Sequence, residues 1–228
     1  MPEPLSPAIG IAVLHLFFQV DPDVDTLAIV DSVKQCQADD HQVVSFAVLG
    51  HKADIGFMAL GKDLWRLRRL QSDLCRTGLV LVDSYVSMTE ASEYTTGMPQ
   101  EMIDARLYPN LPPKGMRAIC FYPMSKRRGL GGGEANWYSL PFEDRTKLMQ
   151  EHGASGRKWA GKVSQMITGS TGFDDFEWAV TLFAHDPADL KHTVYSMRFD
   201  EASAVYAEFG TFVTGMVADI EELCSELC

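Results

Sequence analysis

From Ile11 to Met88 the apolar pattern switches between the alternation of strands and the three-to-four spacing of helices. Ile11 to Val20 is apolar and β-rich and predicts a strand. Asp23 to Ala38 follows as a helix, with Asp23 as candidate cap and Leu27, Val30 and Lys34 at helical steps. Gln42 to Leu49 and Asp54 to Leu60 predict a hairpin around Gly50-His51-Lys52-Ala53. A helix from Asp63 to Arg76, stopped by Gly78, leads into a strand from Leu79 to Met88. The order β-α-β-β-α-β is the split βαβ plan of a ferredoxin-like domain.

Gly97, Pro99, Pro109, Pro112, Pro113 and Gly115 predict an irregular linker beyond this half. After it the order returns: strand Arg117 to Met124, helix Pro141 to His152, strands Lys162 to Ser170 and Phe176 to Ala184, helix Pro187 to Met197, and closing strand Tyr206 to Thr214. A last amphipathic helix is expected from Met216 to Leu227 through Val217, Ile220, Leu223 and Leu227. The expected class is α+β: ferredoxin-like halves at 1–95 and 116–228, a linker over 96–115, and sheets paired into one barrel-like core. Two separate α+β domains are the plainer alternative.

Hydrophobic residues make up 46% and charged residues 22%, the balance of a soluble globular protein with ample core. No apolar run is long enough for a spanning helix, and Met1-Pro2-Glu3-Pro4 lacks the basic start of a secretory signal. Five scattered cysteines (Cys36, Cys75, Cys120, Cys224, Cys228) argue for reduced thiols in a cytoplasm. Cys224 and Cys228 have a spacing that could join a metal, but no other Cys or His lies near them.

Charge is unevenly placed. The net charge is −11, yet Arg106 to Gln165 holds eleven Lys and Arg against four acids, a local +7. Nine basic and twenty-seven acidic residues elsewhere carry −18. Cations gathered in one segment of an anionic chain suggest a local anionic ligand rather than nucleic acid, which favours a broader basic field. Tyrosine, lysine, histidine and glutamine in the same segment could serve a redox cofactor bearing carboxylates.

His152 shares a helix face with Leu148 and Met149. It can ligate a metal through one ring nitrogen while the other is held by an acceptor. It can equally be a cation favoured at a helix C-terminus, where Gly153 predicts the stop. The absence of HxxxH or HExxH argues against zinc held by several protein ligands, whereas haem needs only one histidine. Gln165 alternates with Val163 and Ile167 on a row that reads as core-facing, so its amide bonds backbone or points into a cavity. Tyr122 alternates with Ala118, Cys120 and Met124 on a strand, a pattern that packing alone explains; Lys126, with Arg127 and Arg128, reads equally as a surface charge run. Gly129-Leu130-Gly131-Gly132-Gly133 lacks the phosphate-loop signature and reads as a mobile loop. No hydrolase triad motif is present.

At these residues the chain resembles the chlorite dismutase superfamily, and within it the coproheme decarboxylases of bacterial haem synthesis, of Gram-positive type. The motifs are Tyr122-Pro-Met-Ser-Lys126, Asn136-Trp-Tyr138, His152-Gly153, Gly156-Arg157, Ala160-Gly-Lys-Val163, Gln165-Met-Ile-Thr-Gly-Ser170, Asp174-Asp-Phe-Glu-Trp178, Met197-Arg-Phe-Asp-Glu201 and Glu208-Phe-Gly210. The resemblance implies paired ferredoxin-like halves in an α+β barrel, assembled as a homopentamer. It implies peroxide-dependent oxidative decarboxylation of two propionates of iron-coproporphyrin III (coproheme) to vinyl groups, giving haem b. His152 matches the iron ligand, Tyr122 the tyrosine that becomes a radical, and Lys126 the lysine near the second propionate. Arg106, Tyr122, Met124, Ser125, Lys126, Gln165, Arg198 and Ser203 match porphyrin-binding positions, and a coproporphyrin ferrochelatase is a candidate partner. Chlorite dismutation goes with a distal arginine where this chain has Gln165. A haem carrier or sensor would need neither Tyr122 nor Lys126. Two departures stand out: the glycine-rich stretch lengthens the interval from Tyr122 to His152, and Trp159 replaces a common tyrosine, a change expected to affect packing.

Overall fold

Two βαββαβ units close on each other in the computed structural model, which describes residues 2–95, 97–129 and 135–226. The first unit comprises β1 (Ala12–Val20), α1 (Thr26–Ala38), β2 (Gln42–Val48), β3 (Ile55–Gly61), α2 (Leu64–Arg76) and β4 (Leu79–Thr89). Asp25 caps α1 by accepting Ala28 N–H at 3.0 Å, so the helix starts later than the Asp23 cap implied. Asp63 caps α2, accepting the Trp65 N–H at 3.0 Å.

The intervening segment is more regular than its prolines suggest. A 3₁₀ turn at Glu93–Thr95 and helix α3 (Gln100–Leu107) occupy it. Pro99 stands at the N-cap, where a missing N–H costs nothing, and Pro109 lies beyond the end, so the helix fits between them.

The second unit runs β5 (Ala118–Lys126), α4 (Phe142–Arg157), β6 (Val163–Gly169), β7 (Trp178–Ala184), α5 (Pro187–Met197), α6 (Glu201–Ala204), β8 (Ala207–Phe209), β9 (Val213–Val217) and α7 (Ile220–Glu226). Three expectations change here. Helix α4 passes Gly153 and ends at Arg157, and the left-handed glycine that follows it is Gly161, at φ 79°. The closing strand splits into β8 and β9 because both lie along β5, where Pro123 has no N–H to offer the ladder. Met216 and Val217 belong to β9, where Val213, Gly215 and Val217 alternate inward; α7 starts only at Ile220.

The sheet order is β7-β6-β4-β1-β3-β2-β9-β5-β8, and β7 also pairs with β5, so the sheet closes into a barrel. Each half contributes a ferredoxin-like quartet, β4-β1-β3-β2 and β9-β5-β7-β6. Two seams join them: Phe46, Ala47 and Val48 of β2 against Val217, Met216 and Gly215 of β9, and Met88 and Thr89 of β4 against Gly169 and Thr168 of β6. Val13, Phe17, Phe46, Met58, Phe121 and Phe183 fill the interior.

Outside the barrel the halves differ. Helices α1 and α2 bury Ile29, Val33, Leu67, Leu70 and Leu74 against Leu14, Leu16 and Phe18, each worth about 1.5–3 kcal/mol. Helix α5 buries Leu190, Thr193 and Met197. Helix α4, the counterpart of α1, has no buried side chain. It packs on α5 and α6 and stands off the sheet. No helix among the described residues is long and apolar enough to cross a membrane.

Candidate active site

Strand alternation on β5 puts Tyr122, Met124 and Lys126 on the face that α4 and α5 overlook, with Phe121 and Ser125 turned the other way. Across the sheet, Tyr122 lies opposite Val180 and Val180 opposite Ile167; Cys120, Leu182 and Gln165 form the next row. Gln165 therefore shares Tyr122's face. It is exposed, as is Ile167, rather than core-facing, because α4 leaves this part of the sheet uncovered.

Tyr122 is buried, stacked on Phe212 at 4.4 Å and edge-on to Phe209 at 5.7 Å. Burial raises the phenol's pKa, Cys120 adds to that, and Arg198 opposes it. The Arg198 guanidinium lies 5.2 Å from the Phe209 ring, so Arg198 and Tyr122 flank one aromatic cluster.

His152 projects from the half-buried face of α4 that also carries Leu148 and Met149. Because the helix runs on to Arg157, His152 is not at a C-terminus, and the dipole explanation for it falls away. Its Nδ1 lies 3.2 Å from Asp200 Oδ2 and 3.5 Å from Ser203 Oγ. Ser155 holds the other Asp200 oxygen at 2.7 Å. Burial and the nearby Lys126 charge lower the His152 pKa, and Asp200 only partly restores it, so the imidazole is neutral around pH 7.

Lys126 is no surface charge. It is buried, donates from Nζ to Ala202 O at 2.6 Å, and lies 4.4 Å from the Trp137 ring centroid. Burial pulls its pKa down to about 8, against the pull of Glu177. Glu177 is the residue that motif reading missed. It stood within Asp174-Asp-Phe-Glu-Trp178 without a role, yet it is buried and hydrogen-bonded to the Lys126 main chain.

Other expectations scatter. Ser125 turns to the opposite face, where its Oγ accepts from Glu177 N–H at 3.1 Å. Arg106 is exposed near the end of α3, and no contact among the described residues ties it to the Tyr122 face. The +7 segment is not concentrated at the site: Arg145 pairs with Glu93, Arg127 with Glu208 and Arg117 with Glu222. Trp159 packs α4 onto α5, donating to Ser196 Oγ at 3.0 Å. Leu130 to Gly133 of the glycine-rich stretch, and Cys228, lie outside the described residues. Among the described residues no cluster of three His, Cys, Asp or Glu could hold a metal.

This arrangement sets a neutral imidazole, a phenol and two cations around the open face of a sheet. Comparison with known proteins gives the same direction. Residues 25–218 match the family described as chlorite dismutase. A coproheme decarboxylase of Staphylococcus carnosus (strain TM300) is 43% identical, with 92% of each chain covered. A heme-binding protein from Thermus thermophilus superposes with a TM-score of 0.85 at 36% identity, covering 100% of this chain and 98% of that one. A mutant chlorite dismutase from Candidatus Nitrospira defluvii has a TM-score of 0.76 at 21% identity, with 97% of each chain covered, a likeness of fold.

Proposed function

Because the chain belongs to the chlorite dismutase family, we propose that it is a coproheme decarboxylase, with iron-coproporphyrin III as substrate and the cleft between α4 and the β5–β7–β6 face as its site. One observation carries this reading: α4 brings His152 within reach of the Lys126 charge without burying a single side chain, while its counterpart α1 is packed. A helix held off its sheet leaves room for a flat ligand. The donor set suits that ligand, since one neutral imidazole can hold an iron and Lys126 and Arg198 can receive carboxylates.

His152 would hold the iron through Nε2, since Nδ1 faces Asp200 Oδ2 and Ser203 Oγ. The bound iron supplies the oxidising power drawn from hydrogen peroxide. Tyr122 gives up its phenolic hydrogen and then takes one from the propionate chain beside it, returning to its starting state. Each propionate loses carbon dioxide and becomes a vinyl group; one peroxide accepts the two electrons and becomes two waters, with one proton consumed. Lys126 and Arg198 orient the carboxylates. Gln165 lines the face as a neutral amide, which gives an oxyanion such as chlorite no charge partner. Two such reactions convert coproheme to haem b.

Tyr122→Phe tests this directly. The ring and its stacking on Phe212 remain, and only the hydroxyl goes. Coproheme binding should persist while decarboxylation nearly stops, read as porphyrin mass after limited peroxide. Wild-type turnover by the variant would move the radical elsewhere, with Tyr138 or Trp137 next in line. An unchanged porphyrin mass in the wild type would make the protein a carrier.

A further inference from the structure

Glu177 sits one residue before β7, and no residue of β7 lies opposite Lys126, because the first β5–β7 pair is Met124 with Trp178. The Glu177 side chain takes the place of the missing strand. Its Oε2 accepts the Lys126 N–H at 2.8 Å, and its own N–H is shared between Met124 O and Ser125 Oγ, both at 3.1 Å. Burial raises the Tyr138 phenol's pKa, and the Glu177 carboxylate beside it adds to that. Tyr138 belongs to the 3₁₀ turn Trp137–Ser139, whose Trp137 covers the Lys126 ammonium. A buried carboxylate is costly unless its partners are in place. Here those partners are the strand end that carries Lys126 and the turn that covers it.

We propose that Glu177 is a positioning residue for decarboxylation, acting through Lys126: it fixes the end of β5 and the covering turn so that the ammonium stays on Tyr122's face. The inference rests on the role given to Lys126 above. Lys126 lies four residues from Tyr122, about 13 Å along the strand. A carboxylate beside Lys126 therefore belongs to a different part of the porphyrin from one beside Tyr122. Glu177 should govern the loss of carbon dioxide from the carboxylate beside Lys126 more than from the one beside Tyr122. Lys126 reaches the ligand as a point charge at the end of a flexible stem, so its placement depends on what anchors the backbone beneath it.

The test uses Glu177→Ala and Glu177→Gln, each alone and combined with Lys126→Ala, scored by porphyrin mass, coproheme affinity and the iron absorption spectrum. Glu177→Ala should bind coproheme within about threefold of wild type and slow one of the two losses of carbon dioxide about tenfold or more, as the Lys126 N–H loses a buried acceptor. Porphyrin that has lost one carbon dioxide should accumulate. Glu177→Gln keeps an acceptor oxygen and should recover most of the rate. In the Lys126→Ala background, Glu177→Ala should add little, because both changes act on one interaction. Additive losses, equal slowing of both steps or an altered iron spectrum would show a general lesion and overturn the proposal, as would wild-type rates in Glu177→Ala. Absence of carbon dioxide release from the wild type would instead overturn the decarboxylase reading beneath it.

Discussion

Acidification should destabilise the barrel from the inside, through His15. This residue points into the interior from β1, fully buried, with its ring centroid 4.4 Å from that of Phe121 and 6.5 Å from that of Phe17. Nε2 lies 3.0 Å from Thr181 Oγ1, while Nδ1 has no hydrogen-bond partner among the described residues. Burial lowers its pKa from 6.5 to about 3. Between those values the unfolded chain binds a proton that the folded chain refuses, so stability is full above pH 6.5 and falls as pH drops toward 3. Each pH unit costs about 1.4 kcal/mol, so the loss at pH 4.5 is about 3 kcal/mol. The measurement is urea unfolding of the ligand-free protein at pH 7.5 and 4.5, followed by tryptophan fluorescence, for wild type and His15→Gln. Glutamine can still bond Thr181 but does not titrate. Its own cost is the same at both pH values, and the carboxylates common to both proteins cancel. The wild type should lose about 3 kcal/mol more than the variant between the two conditions. Equal losses would mean that the folded barrel accepts a proton on His15, and the desolvation reasoning would fail.

Three further outcomes probe other parts of the fold. His152→Ala should weaken ferric coproporphyrin binding and change its absorption spectrum; a wild-type spectrum with coproheme bound would assign the iron ligand elsewhere. Arg198→Ala should weaken binding by about 1.5–3 kcal/mol, the value of a hydrogen bond to a charged group, before any chemistry begins. An unchanged Kd in a coproheme titration would remove Arg198 from the site. Gly215→Ala places a Cβ 2.0 Å from Ala47 O across the β2–β9 seam, so the halves must part locally. The expected cost is about 1–3 kcal/mol in urea unfolding, and wild-type stability would show that the seam yields freely.

Local spacing places most of the elements, because a strand or helix that buries one face must repeat its apolar residues at that element's period. Pro187–Met197 stands where the sequence pattern puts it, and Leu64–Arg76 starts one residue later than expected. The order of elements, and with it the paired ferredoxin-like plan, follows from the chain alone. So do Tyr122, His152 and Lys126 as candidates, through motifs rather than spacing. What spacing leaves undecided is which of two explanations holds for each. The helix-end reading of His152 stands until α4 continues to Arg157. Lys126 is a surface charge by its neighbours in sequence, yet its ammonium lies between Trp137 and Ala202. Gln165 reads as core-facing because alternation reports a face but not what covers it; only the position of α4 leaves that face open. The break between β8 and β9 depends on Pro123, which is remote in sequence and adjacent across the ladder. Glu177 escapes notice for the same reason. Its partners, Lys126 and Tyr138, lie far from it along the chain, and only the closure of the sheet brings them to one carboxylate. Periodicity is a local property of the chain, whereas burial, pKa and partnership are set by what the tertiary fold packs against each face.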